Sequence, residues 1–378
     1  MQRTQCSQMI TEAKRIVVKV GTSSLTYANG KLNLPQIDLL ARQLTDLYNQ
    51  GKEVVLVSSG AIATGMGRLG LEEKPKDIPQ KQALAAVGQG VLLHIYEKMF
   101  AEYGQIVAQL LLTKADLDNH MRFLNARNTL LALLKMGIIP IINENDTVSI
   151  DEIRIGDNDT LAATVGVLIE ADLVILLSDI QGLYESDPRK NPEAKMLEVV
   201  EKIDSSIESL AGAAGSNLGT GGMVTKIMAA KIANNAGIPL VIAHGAEENV
   251  LAKIVKGENV GTLFLANDVK PHLRKCWITF GCKINGSLIV DDGAKNALIS
   301  NGKSLLSSGV KAVEGNFSKG AVVSICDENR REFARGMVNY SSKELDIIKG
   351  AKSREIYNLL GYKDYDEVIH RDNLGLLL

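Results

Sequence analysis

Two lysines set beside glycine and small hydroxyl residues are the first chemistry the sequence offers. Lys19 lies in Val18-Lys19-Val20-Gly21-Thr22-Ser23-Ser24, and Lys226 closes Gly219-Thr220-Gly221-Gly222-Met223-Val224-Thr225-Lys226. Glycine lets the backbone approach an anion closely, hydroxyls add donors and an ammonium neutralises charge, so both stretches suit phosphate. Neither is the GxxxxGK[ST] loop of P-loop nucleotide enzymes. Each also has a plain structural reading, a lysine beside a β-turn in the first and a flexible linker in the second. A linker, however, does not require a basic residue so near a helix start.

Four more segments have the same texture. Val57-Ser58-Ser59-Gly60-Ala61-Ile62 ends an apolar run in small residues, which suits an anion rim but also ordinary turn geometry. Ile141-Ile142-Asn143-Glu144-Asn145-Asp146 ends a run in a burst of amides and carboxylates, and Gly156-Asp157-Asn158-Asp159 follows closely. Asp146 suits an ammonium group, and Asn158 is suited to donate to a carboxylate. The second cluster is equally a good N-cap for a helix at Thr160, and the two roles coexist. Leu176-Leu177-Ser178-Asp179 ends a further run, where hydrogen-bonding groups beside an apolar slot fit adenine and ribose; turn chemistry explains it almost as well. The histidines, His94, His120, His244, His272 and His370, stand at no ligand spacing with Cys or carboxylates, so a metal held by side chains alone is not expected.

These segments must be positioned by the elements they terminate. Short β-branched runs at 16–20, 54–57, 106–112, 138–142, 173–177 and 239–243 alternate with helical spacing at 37–48, 80–103, 123–136 and 223–236. Continuous apolar strands alternating with helices indicate a parallel sheet covered on both faces, and ligands of such sheets sit at the carboxyl ends of the strands. Every candidate segment lies at such an end or at a helix start. After about Asn267 the texture changes to shorter strands, at 287–290, 321–326 and 333–340, with glycine turns that include Asn285-Gly286, Asp292-Gly293 and Asn301-Gly302. The expected organisation is an N-terminal extension over 1–15, an α/β domain over 16–267, a linker over 268–283, a small mainly β domain over 284–362 and a tail over 363–378.

With 378 residues the chain is long enough for two cores. Its 42 basic and 44 acidic side chains nearly cancel, so no global field gathers nucleic acid or anionic lipid, and phosphate binding must be local. Residues 284–362 hold 11 basic and nine acidic side chains, a faint footprint for RNA, which is not expected as a partner. Cys6, Cys276, Cys282 and Cys326 form no CxxC pair and read as reduced thiols. The polar start MQRTQCSQMITEAKR has no signal-peptide core, and the apolar stretch 161–177 is broken by Glu170 and Asp172; the expectation is a cytoplasmic protein with no membrane partner.

Taken together and in this order, Lys19-Val20-Gly21-Thr22-Ser23, Ser59-Gly60-Ala61-Ile62, Asn143-Glu144-Asn145-Asp146, Gly156-Asp157-Asn158-Asp159 and Gly219-Thr220-Gly221-Gly222-Met223 resemble the amino-acid kinase family. From about Ile284 the chain resembles a PUA domain. The resemblance implies an amino-acid-kinase sandwich with a mostly parallel central sheet and a small C-terminal PUA-like domain. It implies transfer of the ATP γ-phosphoryl group to the side-chain carboxylate of L-glutamate, for proline synthesis. A glutamate side chain, which ordinarily titrates near about 4.3, is already an ionised nucleophile near neutrality, so no general base is needed.

By the same resemblance Lys19 and Lys226 neutralise charge on the phosphates and Asp159 holds the lysines. Ser59, Asp146 and Asn158 bind glutamate. Lys19, Ser178, Asp179 and the stretch Thr220, Gly221, Gly222, Met223, Val224, Thr225 and Lys226 contact ATP, while Mg²⁺ is held mainly by ATP phosphates and water. Dimers or tetramers and feedback inhibition by proline are implied as well. Ser58 and Ser178 stand where threonine is commoner in the family, and Val224 where serine is frequent, which bears on fine nucleotide contacts. Acetylglutamate, aspartate, carbamate or a nucleoside monophosphate are the alternative acceptors; Asp146 argues for a free α-amino group.

Overall fold

The computed structural model describes residues 8–27, 29–73, 75–148, 158–188, 191, 193–213, 222–266, 278 and 284–377. The chain divides into two compact units, Met1–Leu117 with Met121–Lys270, and Asp118–His120 with Pro271–Leu378.

The first unit is built on eight strands: β1 (Arg15–Val20), β2 (Glu53–Val57), β3 (Val107–Leu112), β4 (Ile139–Glu144), β5 (Leu173–Ser178), β6 (Val199–Val200), β7 (Leu240–His244) and β8 (Thr262–Phe264). Their order across the sheet is β3-β4-β2-β1-β5-β7-β8-β6. The six apolar runs read from the sequence are β1 to β5 and β7, and they pair in parallel throughout. Burial on both faces is why those runs are continuous rather than alternating. One edge departs from the parallel expectation: β8 runs antiparallel to β7 and carries the two-residue β6 beside it. Both are too short for a periodic signal.

Register brings the strand ends into line. Lys19 of β1 lies opposite Val57 of β2 and Leu176 of β5, Val57 lies opposite Ile142 of β4, and Ser178 lies opposite His244 of β7. The segments that follow β1, β2, β4 and β5 therefore leave one edge of the sheet together. The core beneath that edge is aliphatic, with Ile16, Val18, Leu56, Ile141, Leu173 and Ile175 buried among helix side chains such as Leu44, Tyr96 and Phe100.

The exit from β2 is set by a helix crossing. Gly60, at φ +88°, begins the helix Ala61–Leu69, which packs against the 25-residue helix Ile78–Glu102. A Cβ added at Gly88 would lie 1.8 Å from the carbonyl oxygen of Ala61, and one at Gly65 would lie 2.1 Å from that of Leu84. Both obstacles are backbone, so no rotamer change relieves them. Gly88→Ala is expected to cost about 3 kcal/mol of stability, at the upper end of overpacking penalties, read as a lowered melting temperature. Because Ala61 is the next residue but one after Ser59, the same change is expected to raise the KM of whatever Ser59 holds.

The second unit has its own sheet, in the order β10-β9-β11-β12-β13, formed by β9 (Ser287–Val290), β10 (Val310–Glu314), β11 (Val322–Cys326), β12 (Glu332–Met337) and β13 (Leu374–Leu376). Its core gathers Leu288, Val290, Val310, Val323, Ile325, Tyr340 and Ile369. Two features differ from the sequence reading. Asp292-Gly293, read as a turn, opens the helix Asp292–Asn301, because the Asp291 carboxylate accepts from the N–H of Ala294 and caps it. The stretch 363–378, read as a tail, supplies β13, which pairs with β12. Among the described residues no helix is long and apolar enough to cross a membrane.

Candidate functional site

Lys19 sits in β1, a central strand buried along almost its whole length and a costly place for an ammonium. Its compensation comes from the helix Asn158–Leu168, whose second residue, Asp159, has no exposed surface. The Nζ of Lys19 stands 2.5 Å from Asp159 Oδ1, and the Nζ of Lys226 stands 3.0 Å from Oδ2. Thr225 Oγ1 donates to the same Oδ2 at 3.1 Å. Both lysines are only 5% exposed, so water does little to screen the trio. One carboxylate between two ammoniums leaves a net positive charge there.

Small residues make this meeting possible. Helix Met223–Asn235, which carries Lys226, packs against Asn158–Leu168, and both bury small residues, Ala229, Ala230 and Ala233 in the first and Ala162 and Ala163 in the second. Bulkier side chains would hold the helices apart and put the short Asp159 out of reach of Lys226. Burial alone would push the Asp159 carboxyl up; the two lysines outweigh it and hold the group well below the usual carboxylate range.

Asn158, one residue earlier, organises a second cluster. Its Nδ2 donates to the carbonyl oxygen of Ser58 at 2.8 Å, to Ser59 Oγ at 2.8 Å and to Asn143 Oδ1 at 3.0 Å. Asn143 Oδ1 also accepts from the N–H of Glu144 at 2.9 Å. Three acceptors around Nδ2 define which end of the amide faces them. Its other end, Oδ1, is buried with no hydrogen-bond partner among the described residues. The N–H groups of Asn158, expected to donate to a carboxylate, are engaged within the protein, and its unspent end is an acceptor. Ser59 Oγ, which accepts from Asn158, keeps its own proton to donate. The cluster thus leaves one donor, the Ser59 proton, and one buried acceptor, Asn158 Oδ1, unspent among the described residues.

Asp146 lies half-buried in the turn that follows β4, beside Asn145, which accepts from Thr147 Oγ1. Ser178, buried at the end of β5, donates to the exposed Asp179 at 3.0 Å. Gly222 begins the helix Met223–Asn235 with no side-chain cap, Met223 is buried and Val224 is exposed. Gly156, Asp157, Thr220 and Gly221 lie outside the described residues. Asn143 and Tyr96 are added by the structure, since the sequence reading gives neither a role. Asn143 carries the signal of an amide at the last buried position of a strand, whereas Tyr96 shares a helix face with Leu92 and Phe100 and reads as core.

Gly21 shows a place where backbone lies open to a ligand: an added Cβ would meet only ordinary contacts, the nearest being Lys19 Nζ at 3.8 Å. The protein's own packing does not demand glycine there. Among the described residues no group of three or more His, Cys, Asp or Glu gathers to hold a metal, and both Asp159 oxygens face lysines. This donor set fits a polyphosphate, with any divalent cation carried on the phosphate oxygens.

Comparison with known proteins agrees with this geometry. The amino acid kinase family profile matches residues 14–244, and that of the PUA domain matches 286–360. A glutamate 5-kinase of Thermoanaerobacter sp. (strain X514) is 57% identical over 96% of this chain and 98% of its own length. Those of Moorella thermoacetica and Geobacter sulfurreducens are 52% and 49% identical, the first over 100% of both chains and the second over 98% of this chain and 100% of its own. A match spanning β1 to β7 and both lysine-bearing ends, with relatives alike along their whole length, establishes that the chain belongs to the amino acid kinase family and carries a PUA domain behind the kinase.

Proposed function

We propose that this protein transfers the γ-phosphoryl group of ATP to the side-chain carboxylate of L-glutamate, forming L-glutamyl 5-phosphate and ADP, the first step of proline biosynthesis. The observation that carries the reading is the adjacency of Asn158 and Asp159. A head-group cluster and a phosphate-charge cluster are joined by one peptide bond at the start of one helix. An acceptor held by Ser59, Asp146 and Asn158 thereby has its far carboxylate directed toward the lysine trio. The names of the full-length relatives supply glutamate itself.

The chemistry is a displacement at phosphorus. A carboxylate oxygen forms the new bond to the γ-phosphorus, the bond to the β,γ-bridging oxygen breaks and ADP leaves with the electron pair. No proton moves, which matches a site centred on two ammoniums and a carboxylate, with no histidine hydrogen-bonded to them among the described residues. The obstacle is repulsion between anions, and Lys19 and Lys226 offset it while Asp159 keeps both in place before substrate arrives. Ser178, Asp179 and the stretch from Thr220 to Lys226 contact the nucleotide. When bound with the nucleotide, Mg²⁺ supplies further neutralisation of the β- and γ-phosphate oxygens.

A coupled assay of the purified protein with ATP, Mg²⁺ and L-glutamate, with hydroxylamine to trap the acyl phosphate, tests the reading. Hydroxamate formation that depends on glutamate is expected. Turnover of N-acetylglutamate with none of glutamate would overturn it. Free proline is proposed to compete at the head-group cluster; millimolar proline should then lower the initial rate at sub-saturating glutamate and lose its effect as glutamate is raised. A homodimer or homotetramer working in the cytoplasm completes the proposal.

A further inference from the structure

The head-group cluster rests on a buried hydrogen bond from a helix that bears none of its residues. Tyr96, in the helix Ile78–Glu102, is 1% exposed, and its phenol oxygen lies 2.9 Å from Ser58 Oγ. Among the described residues Ser58 is the one side chain that hydrogen-bonds this phenol, and burial pushes the phenol well above its ordinary range, so it stays protonated at any working pH. Ser58 faces two ways. Its hydroxyl meets Tyr96, with a longer contact of 3.4 Å to the carbonyl oxygen of Ser59, while its own carbonyl accepts from Asn158 Nδ2 at 2.8 Å.

Turning the Asn158 amide over would set Oδ1 against two groups that can only accept, the Ser58 carbonyl and Asn143 Oδ1. The observed orientation persists only while those acceptors stay where they are. Asn143 is fixed within β4 and by the N–H of Glu144. Ser58 and Ser59, by contrast, lie past the end of β2 and before the left-handed Gly60, where the backbone hydrogen bond of Ser58 N–H to the Ile142 carbonyl at 2.8 Å is the last rung. The Tyr96 phenol is the side-chain anchor at that exit.

We propose that Tyr96 is a positioning residue for acceptor specificity: through Ser58 it holds Asn158 with its oxygen presented to the ligand, so that the site recognises an α-ammonium group. The inference rests on the reading of Ser59 and Asn158 as the glutamate head-group site. Ammonium recognition is then a property of an amide orientation rather than of a carboxylate alone, and the orientation is stored outside the site.

The test compares L-glutamate with glutarate, the same dicarboxylate without the amino group, by hydroxamate trapping. The quantity read is the ratio of kcat/KM for the two acceptors in the wild-type protein, Tyr96→Phe, Ser58→Ala and Ser58→Thr. Tyr96→Phe removes one oxygen and is expected to lower the ratio about threefold to tenfold, the worth of one hydrogen bond, while the KM for ATP stays within about twofold. Ser58→Ala should reproduce the loss and Ser58→Thr, which keeps the hydroxyl, should not. A ratio unchanged in Tyr96→Phe, or glutamate and glutarate falling together, overturns the proposal and leaves Tyr96 as packing. If Tyr96→Phe does not fold, the Ser58→Ala and Ser58→Thr pair reads the same bond from its other side. A wild-type protein that phosphorylates neither acceptor would instead overturn the glutamate reading itself, a distinct outcome.

Discussion

Asp159→Asn is expected to lower kcat by about two to three orders of magnitude and to destabilise the protein by about 3–5 kcal/mol. The carboxylate is wholly buried and both of its oxygens face ammoniums. An amide keeps the shape but offers one neutral acceptor, and its NH₂ end turns a donor toward a cation. Two ammoniums are left buried without their counter-ion, and their geometry at the phosphate is lost with it. The pH dependence gives an independent check. The Asp159 carboxyl is held below the usual carboxylate range by Lys19 and Lys226 against the opposing effect of burial. A depressed folded-state pKa means that the contribution is complete above the unfolded value, about 3.9, and is lost only as pH falls from there through the folded value. The melting-temperature difference between wild type and Asp159→Asn should therefore be flat from about pH 5 to 8 and shrink only below about pH 4. A difference that decays between about pH 6 and 5 would mean that another group carries it.

The same trio shows which parts of the site were legible in the sequence. Lys19 and Lys226 were visible because each stands in a local stretch of glycines and hydroxyls that suits phosphate, although a turn or a linker also accounts for such a stretch. The sheet was visible for a related reason: burial on both faces forces β1 to β5 and β7 to be continuously apolar, and the polar residues that interrupt them mark the strand ends. That one carboxylate lies between both lysines was a matter of resemblance, because Asp159 is separated from each by many elements and no spacing rule reaches that far. The direction in which Asn158 faces was not legible for a physical reason. An amide is donor and acceptor at once, and only the three acceptors supplied by β2 and β4 decide which end is spent. Tyr96 was hidden by its position, since a tyrosine on the apolar stripe of a helix differs from a phenylalanine only by what its oxygen meets. In the second unit Asp292-Gly293 was read as a turn because Asp-Gly is a turn dipeptide, yet the Asp291 cap and the apolar Leu298 keep the helix Asp292–Asn301 in place.

Lys226→Met should separate activity from stability, in contrast to Asp159→Asn. In the wild-type protein two cations share one anion, so the trio carries a surplus charge that folding does not require. Methionine matches the aliphatic stem of lysine and fits a buried position. The variant leaves a one-to-one pair, Lys19 with Asp159, and Thr225 remains at Oδ2. Like-charge repulsion between the ammoniums disappears at the same time. The melting temperature is expected to stay within about 3 °C of wild type, or to rise, because removal of one member does not strand an unpaired charge. The rate behaves differently. The γ-phosphoryl group loses one of two cations directed at its oxygens in a poorly screened site, an effect of about two to three orders of magnitude in kcat. Glutamate KM should move by no more than about threefold, since in the proposed reading the head group is held by the Asn158 cluster. Lys19→Met should behave alike, and the double variant should fall by less than the product of the single effects because the lysines act on one transition state through one carboxylate. A stable Lys226→Met protein with near-normal kcat would mean that the charge is structural and that the phosphate is neutralised elsewhere. A stable but slow one assigns the surplus charge to phosphoryl transfer.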